Sequence, residues 1–308
     1  MAEHGFLFYA LEMSLGISLP SFAKVNLLLR VLGKRDDGFH ELFTVFQSVS
    51  LHDTLHFEEC SEIELTCDDP SVPTDERNLI FNAATTLKRQ FGARKGAKIH
   101  LEKLIPSPGG LGGGSSNAAV ALIGLKKLWN LEIAVDDLHS IAAELGSDVP
   151  YFLHGGTAIG TGRGEKIEEI DDLDARHMLI VTPNLPVSTG FAYSALNRGN
   201  LTNSETETIL TVCRNEAKSL DLRHSALEND FEQSVFADFP EVKRVKETLL
   251  ELGAANAAMS GSGASVFAIF DKQETRQAAQ KALEENRDWR KFAVSTVSRE
   301  NYAKALFV

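Results

Sequence analysis

The chain has 308 residues, a net charge of −12 and 43% hydrophobic residues, enough for one large or two modest domains with a core. Its 31 basic residues are dispersed, which argues against the basic face that nucleic-acid binding needs. Cys60, Cys67 and Cys213 share no zinc-ligand spacing and read as reduced thiols, and no apolar run approaches a membrane span.

Residues 6–11 are apolar but short, with no basic flank or cleavage site, so no signal peptide is expected. Met13 is an alternative start, with residues 1–12 an upstream extension. Residues 21–31 alternate, with Ala23, Val25, Leu27, Leu29 and Val31 on one face and Lys24, Asn26, Leu28 and Arg30 on the other, which predicts a strand. Residues 33–38 carry a turn signal between two glycines, and residues 39–49 continue as a second strand, giving a hairpin. Residues 63–65 and 98–104 read as strands and residues 78–89 as a helix.

A helix is expected from residue 117 to 129, apolar on most sides and therefore buried. Another is expected over residues 136–145, with Asp136 as N-cap and Gly146 as the glycine that closes it. Residues 155–164 read as a strand between tight turns, and the acidic stretch 168–176 as a boundary. Beyond it, strands at 178–182, 264–270 and 292–297 alternate with helices at 189–197, 241–252 and 273–285, the last but one closed by Gly253. Mixed strands and helices of this kind predict an α+β sandwich.

The stretch from Pro106 to Asn117 is the densest signal in the chain. Gly109, Gly110, Gly112, Gly113 and Gly114 fall within six residues and are followed by Ser115 and Ser116. Glycine is useful where a backbone must approach a ligand closely. A glycine turn that feeds a helix presents free N–H groups and the positive end of the helix dipole, a ready site for phosphate. Ser115 stands where the Walker lysine would be, and again where the third dinucleotide glycine would be, so neither of those loops is present. Any cation must come from elsewhere. A second glycine-and-hydroxyl turn, Ser260-Gly261-Ser262-Gly263, precedes the strand at 264–270.

Phosphoryl transfer needs a phosphate cradle, a cation and a carboxylate that orients or deprotonates the acceptor hydroxyl. Lys24 and Asp148 would complete that set with the glycine loop. Taken alone, Lys24 also fits an edge-strand lysine and Asp148 a turn-forming aspartate. His40, Phe39 and His154 equally fit structural roles.

These residues together resemble the GHMP kinases. The segment 20–27 is similar to that family's first motif, 106–116 to its phosphate motif, and 260–263 to its third motif. Ala23-Lys-Val-Asn-Leu27, Asp37-Gly-Phe-His40 and Gly146-Ser-Asp-Val-Pro150 further resemble the branch that uses ATP to phosphorylate the 2-hydroxyl of 4-diphosphocytidyl-2-C-methyl-D-erythritol, in the non-mevalonate isoprenoid route.

The resemblance implies a ribosomal S5 domain 2-like N-terminal domain over residues 1–170 and a ferredoxin-like C-terminal domain over 171–308. It implies Asp148 as general base with Lys24 beside it. ATP and phosphate binding would fall to Pro106, Gly109, Gly110, Leu111, Gly112, Gly113, Gly114, Ser115, Ser116, Asn78 and Lys103. Asn26, Phe39, His40, Thr189 and Tyr193 would contact the acceptor, and Gly261, Ser262 and Gly263 form the third motif. Mg²⁺ would be held mainly by phosphates, with Ser115 a candidate ligand. The implied protein is a cytoplasmic monomer or weak homodimer with no nucleic-acid or membrane partner. Phe39 stands where many members have tyrosine, and Ser147 where many have alanine. The other readings are a homoserine or mevalonate type of GHMP kinase, a non-catalytic nucleotide binder and, more distantly, a dinucleotide oxidoreductase.

Overall fold

A computed structural model of the chain describes residues 16–35, 37–194, 196 and 203–307. The expected extension over 1–12, the alternative start at Met13 and the end of the helix expected at 189–197 lie outside the described residues, as does Asp36 of the first turn.

The first sheet is built on a long hairpin, β1 (Ile17–Lys34) and β2 (His40–Cys60). Both strands run well beyond the expected limits because neighbouring strands pair with them along their length. β3 (Ile63–Cys67) and β4 (Gly96–Glu102) extend the sheet past the second half of β2. β5 (Thr157–Gly162) pairs with the first half of β2, and β6 (Lys166–Glu169), which pairs with β5, ends within the stretch 168–176 expected to be a boundary. A two-residue strand, β8 (Glu228–Asn229), joins β1 in parallel.

The pairing of β1 and β2 shifts register at Leu27, which sits between the pairs Asn26–Phe46 and Leu28–Val45. A one-residue bulge turns the following side chains to the opposite face. Lys24 and Asn26 precede it and Leu29 follows it, yet all three line the same cavity.

Helices α1 (Leu79–Phe91) and α2 (Gly113–Leu128) pack against this sheet, and α3 (Val135–Leu145) packs on those two helices. α2 is the buried one: Ser116 to Leu125 are all inaccessible, as its all-round apolar sequence requires. Asp136 is not the N-cap of α3. The helix begins one residue earlier, Ala134 holds the cap position, and Asp136 and Asp137 lie in the first turn, where they complement the dipole. Gly146 ends α3 in extended backbone, φ 172°, rather than in the left-handed conformation of a closing glycine.

The second sheet is antiparallel, in the order β11-β7-β10-β9, from β7 (Met178–Pro183), β9 (Asn256–Met259), β10 (Val266–Ile269) and β11 (Trp289–Val294). With α7 (Pro240–Glu251) between β7 and β9, and α8 (Gln273–Ala282) between β10 and β11, this is the ferredoxin-like arrangement. α4 (Thr189–Ser194), α5 (Asn203–Lys218), α6 (Glu232–Asp238) and the C-terminal α9 (Arg299–Phe307) complete the described helices, of which α5, α6 and α9 carry no sequence expectation. Among the described residues, no helix is long and apolar enough to cross a membrane.

Candidate active site

The site forms where the two glycine turns meet over β1. The loop before α2 is pinned at its entry by Asp53, which is fully buried and ion-paired with Lys103 at 2.9 Å. Asp53 also accepts the backbone N–H groups of Leu104 and Ile105, both at 2.7 Å, and the Asn117 side-chain amide at 3.0 Å. One carboxylate thus ties the strand before the loop to the helix after it. In the loop itself, Gly110 and Gly112 take left-handed φ values of 72° and 71°, and Gly112 is the N-cap of α2. Ser116 closes the first turn through its N–H to Gly112 O.

The second turn docks onto this loop. Ser260 donates its hydroxyl to Gly110 O at 2.9 Å, and Ser265 N–H donates to Gly109 O at 3.2 Å. β1 is bonded to both turns, through Lys24 N–H to Leu111 O at 3.0 Å and Asn26 N–H to the Ser260 hydroxyl at 3.3 Å.

Under the junction lies a cavity of about 470 Å³. Lys24 and Asn26 rise into it from β1, and Asp148 from the turn after α3. Pro106 and the loop from Gly109 through Ser115 form one wall, Thr189, Tyr193 and Gly261 to Gly263 another. Lys24 Nζ stands 3.5 Å from Asp148 Oδ2 and donates to Asn26 Oδ1 at 2.5 Å. Burial lowers the pKa of Lys24, while the charge of Asp148 acts in the opposite sense. Asp148 is one-third exposed and faces the cavity, whereas Lys24 is nearly inaccessible.

The Asn26 amide is held from behind. Its Nδ2 donates to Thr44 Oγ1 at 2.7 Å, and that hydroxyl donates to Leu28 O, also at 2.7 Å. The Thr44 proton is therefore engaged, its oxygen can only accept from Asn26, and Asn26 Oδ1 must turn toward the lysine.

Of the expected acceptor contacts, Asn26, Thr189 and Tyr193 line the cavity, and Phe39 and His40 do not. Phe39 ends the turn between β1 and β2, half exposed, its N–H bonded to Asp37 Oδ1 at 3.1 Å. His40 stacks on Tyr193 with ring centroids 5.4 Å apart, and burial raises the pKa of the Tyr193 phenol. Thr189 Oγ1 is 3.1 Å from Ser262 Oγ, which joins α4 to the second glycine turn.

Three expected phosphate-side residues do not line the cavity. Asn78 caps α1, accepting from Ile80 N–H at 2.9 Å and donating to Pro73 O at 2.7 Å. Lys103 is engaged with Asp53 and with Ile105 O. Ser116 is fully buried between Ser21 and Phe22 O. Conversely, Thr44 and Arg163 line the cavity without a sequence expectation. Thr44 reads as an ordinary strand residue, and Arg163, between two glycines, as a turn cation.

A two-sheet fold with a glycine loop at a helix start, a second glycine turn docked on it and a lysine–aspartate pair below defines a GHMP-type small-molecule kinase. Family models named GHMP kinases N terminal domain and GHMP kinases C terminal match residues 78–156 and 213–288, each holding one of the two glycine turns. A 4-diphosphocytidyl-2-C-methyl-D-erythritol kinase of Chlorobium limicola is 41% identical over 262 residues, 84% of this chain and 90% of its own length. Its counterpart in Listeria monocytogenes is 39% identical over 262 residues, 84% of this chain and 88% of its own. The crystal structure of a 4-(cytidine 5'-diphospho)-2C-methyl-D-erythritol kinase superposes with a TM-score of 0.74 at 33% identity, covering 91% of this chain and 99% of that one. A homoserine kinase from Cytophaga hutchinsonii, at 21% identity and a TM-score of 0.69 over 95% of this chain and 98% of its own, shares the fold. The chain belongs to the 4-diphosphocytidyl-2-C-methyl-D-erythritol kinase family.

Proposed function

We propose that this enzyme transfers the γ-phosphoryl group of ATP to the 2-hydroxyl of 4-diphosphocytidyl-2-C-methyl-D-erythritol, releasing ADP and the 2-phosphate, on the non-mevalonate route to isoprenoid precursors. The observation that carries the chemistry is the Lys24–Asp148 pair, 3.5 Å apart, in the same cavity as the glycine loop. An alcohol is a weak nucleophile near neutral pH, and Asp148 is the carboxylate placed to take its proton. As the acceptor oxygen bonds to the γ-phosphorus, the bond to the β–γ bridging oxygen breaks, the hydroxyl proton passes to Asp148, and ADP leaves. Lys24 stands 3.5 Å from Asp148 and offers positive charge beside the incoming oxygen, and Asn26 orients Lys24.

The loop from Gly109 to Gly114 and the first N–H groups of α2 cradle the ATP phosphates, with Pro106 and Leu111 shaping the turn. Among the described residues no group of three acidic, histidine or cysteine side chains is arranged as a metal cage. Mg²⁺ would then be held chiefly by phosphate oxygens, with the Ser115 hydroxyl at the cavity wall as the protein ligand, and would supply positive charge for the transferred group. Lys103 acts on the nucleotide side through the loop it supports rather than by contact, and Ser116 likewise, while Asn78 serves as the cap of α1. Phe39, His40, Tyr193 and Thr189 select the cytidylyl acceptor, with an aromatic face for the base and an imidazole for its edge. Phe39 offers the face without a hydroxyl. The same reading places the enzyme in the cytoplasm, as a monomer or weak homodimer that uses two small nucleotides and no nucleic acid, with domains spanning about residues 1–170 and 171–308.

The test is ADP release with ATP and each of three acceptors: the cytidylyl methylerythritol, homoserine and mevalonate. Turnover with the first alone supports the proposal. Turnover with either of the others and not the first assigns the chain another GHMP activity, and ATP binding without turnover on any of the three leaves a nucleotide binder.

A further inference from the structure

We infer that Arg163 binds the diphosphate bridge of the acceptor and so gives the enzyme its preference for a nucleoside-diphosphate-linked alcohol. The inference rests on the cytidylyl reading above and adds a residue to it.

Arg163 sits in the turn between β5 and β6 and lines the cavity. Its guanidinium carbon is 4.9 Å from the centre of the Phe39 ring. Its neighbour Gly164 lies against the reacting end, where a Cβ would be 3.7 Å from Asp148 Oδ1. The arginine therefore stands between the aromatic that faces the base and the carboxylate that faces the hydroxyl. In the proposed acceptor, the diphosphate occupies that interval between cytidine and methylerythritol.

Charge balance points the same way. The described cavity lining contains two basic side chains, Lys24 and Arg163. Lys24 is committed to Asp148 and Asn26. Arg163 is not. Its nearest carboxylate, Glu165, approaches Nε only to 4.0 Å, and Glu165 Oε2 already accepts the backbone N–H of Arg163 at 2.6 Å. Asp37, the other carboxylate that senses Arg163, is held by the Phe39 N–H and by Arg35 at 3.1 Å. No described residue accepts a hydrogen bond from the Arg163 guanidinium. Its N–H fork is available for two phosphate oxygens, the geometry in which arginine binds phosphate best. The guanidinium rests over the Phe39 ring, a cation–π contact that holds the head group at the cavity and that arginine makes more readily than lysine. A protein of net charge −12 needs such a local cation to hold a dianionic bridge.

The inference is tested by calorimetric binding of CDP and of cytidine, with saturating ADP filling the ATP side. The proteins are wild type, Arg163→Gln and Arg163→Lys. Losing a charge-assisted contact predicts at least about tenfold weaker CDP binding by Arg163→Gln, with cytidine changed by less than about twofold. Arg163→Lys is expected to recover part of the CDP affinity, and the acceptor KM of each variant to rise in the same order while the ATP KM holds. Equal weakening of CDP and cytidine would assign Arg163 to the base through Phe39 and overturn the inference, as would unchanged CDP binding. If wild type binds neither ligand, the cytidylyl reading fails and the inference with it; if wild type binds both and the variant does not discriminate, only the inference fails.

Discussion

Lys24 Nζ and Asp148 Oδ2 lie 3.5 Å apart, the lysine nearly inaccessible on β1 and the aspartate one-third exposed at the end of α3. The ammonium is the buried partner and the carboxylate the presented one. An acceptor hydroxyl can thus reach the carboxylate while the ammonium beside it stays out of water. The two side chains are far apart in the sequence and meet where the glycine loop, bonded to β1 through Lys24 N–H, carries α2 over the strand.

The buried lysine predicts an early alkaline limb. Burial lowers Lys24 below the ordinary lysine value of 10.5, so its ammonium is lost at lower pH than in the unfolded chain. Activity, which needs the ammonium, should fall as pH rises through that lowered value. Between the two values the unfolded chain binds more protons than the folded one, so this group makes the fold more stable as pH rises. kcat/KM and far-UV circular dichroism followed together from neutral pH upward check this. We expect a drop in kcat/KM below pH 10.5 with secondary structure intact. A drop that coincides with unfolding would contradict it.

Thr44 holds the Asn26 amide in the orientation that Lys24 needs. Thr44→Val keeps the shape and removes the acceptor, leaving Asn26 Nδ2 buried and unpaired. The cost should be about 1–3 kcal/mol in denaturant unfolding, with kcat lowered more than the acceptor KM is raised. Thr44→Ser should restore both. Unchanged stability in the valine variant would show that the amide finds another partner.

Gly110 is where the two glycine turns touch. A Cβ there would lie 2.1 Å from Ser260 O, on a backbone with φ of 72°. Gly110→Ala should lower stability by more than the ~1–2 kcal/mol of the left-handed backbone alone, and raise the ATP KM. Gly114→Ala, where a Cβ meets nothing within 4 Å, is expected to leave thermal stability unchanged or higher. A harmless Gly110→Ala would mean that the turns separate without cost.

Phe39 tests the acceptor end. Its ring is half exposed and carries Arg163 on one face. If a cytosine stacks there, Phe39→Ala should weaken the cytidylyl acceptor by about 1–3 kcal/mol, read as KM, and leave ATP unaffected. An equal loss for ATP would indicate a folding defect.

The strands of the hairpin and the buried helix after the glycine loop were legible in the sequence, because period-two alternation and an all-apolar helix are local patterns. Their limits were not. β1 and β2 run on because pairing partners, not their own residues, decide where they stop. α5 went unseen because its sequence is mostly polar, and α9 because nine residues give too short a window for a helical period to show. Asp136 read as a cap when it sits inside the first turn, since acidic residues suit both places. At the site, the glycine loop was visible as a phosphate cradle from residue types alone. Lys24 and Asp148 followed from what phosphoryl transfer needs, but no spacing links them and each also fitted a structural role, so their meeting was not legible until the fold brought them within 3.5 Å. Thr44 and Arg163 gave no signal: a threonine in a strand and an arginine in a turn are ordinary until the fold brings them to the cavity.

The central claim is that Asp148 takes the acceptor proton beside a glycine-loop phosphate site. Asp148→Asn keeps the shape and removes the base, so the decisive measurement is ADP release with the cytidylyl acceptor, alongside ATP affinity of the same variant. We predict turnover lower by roughly 10²–10⁴ with ATP binding largely intact. Turnover close to that of wild type would remove Asp148 as the base and contradict the account.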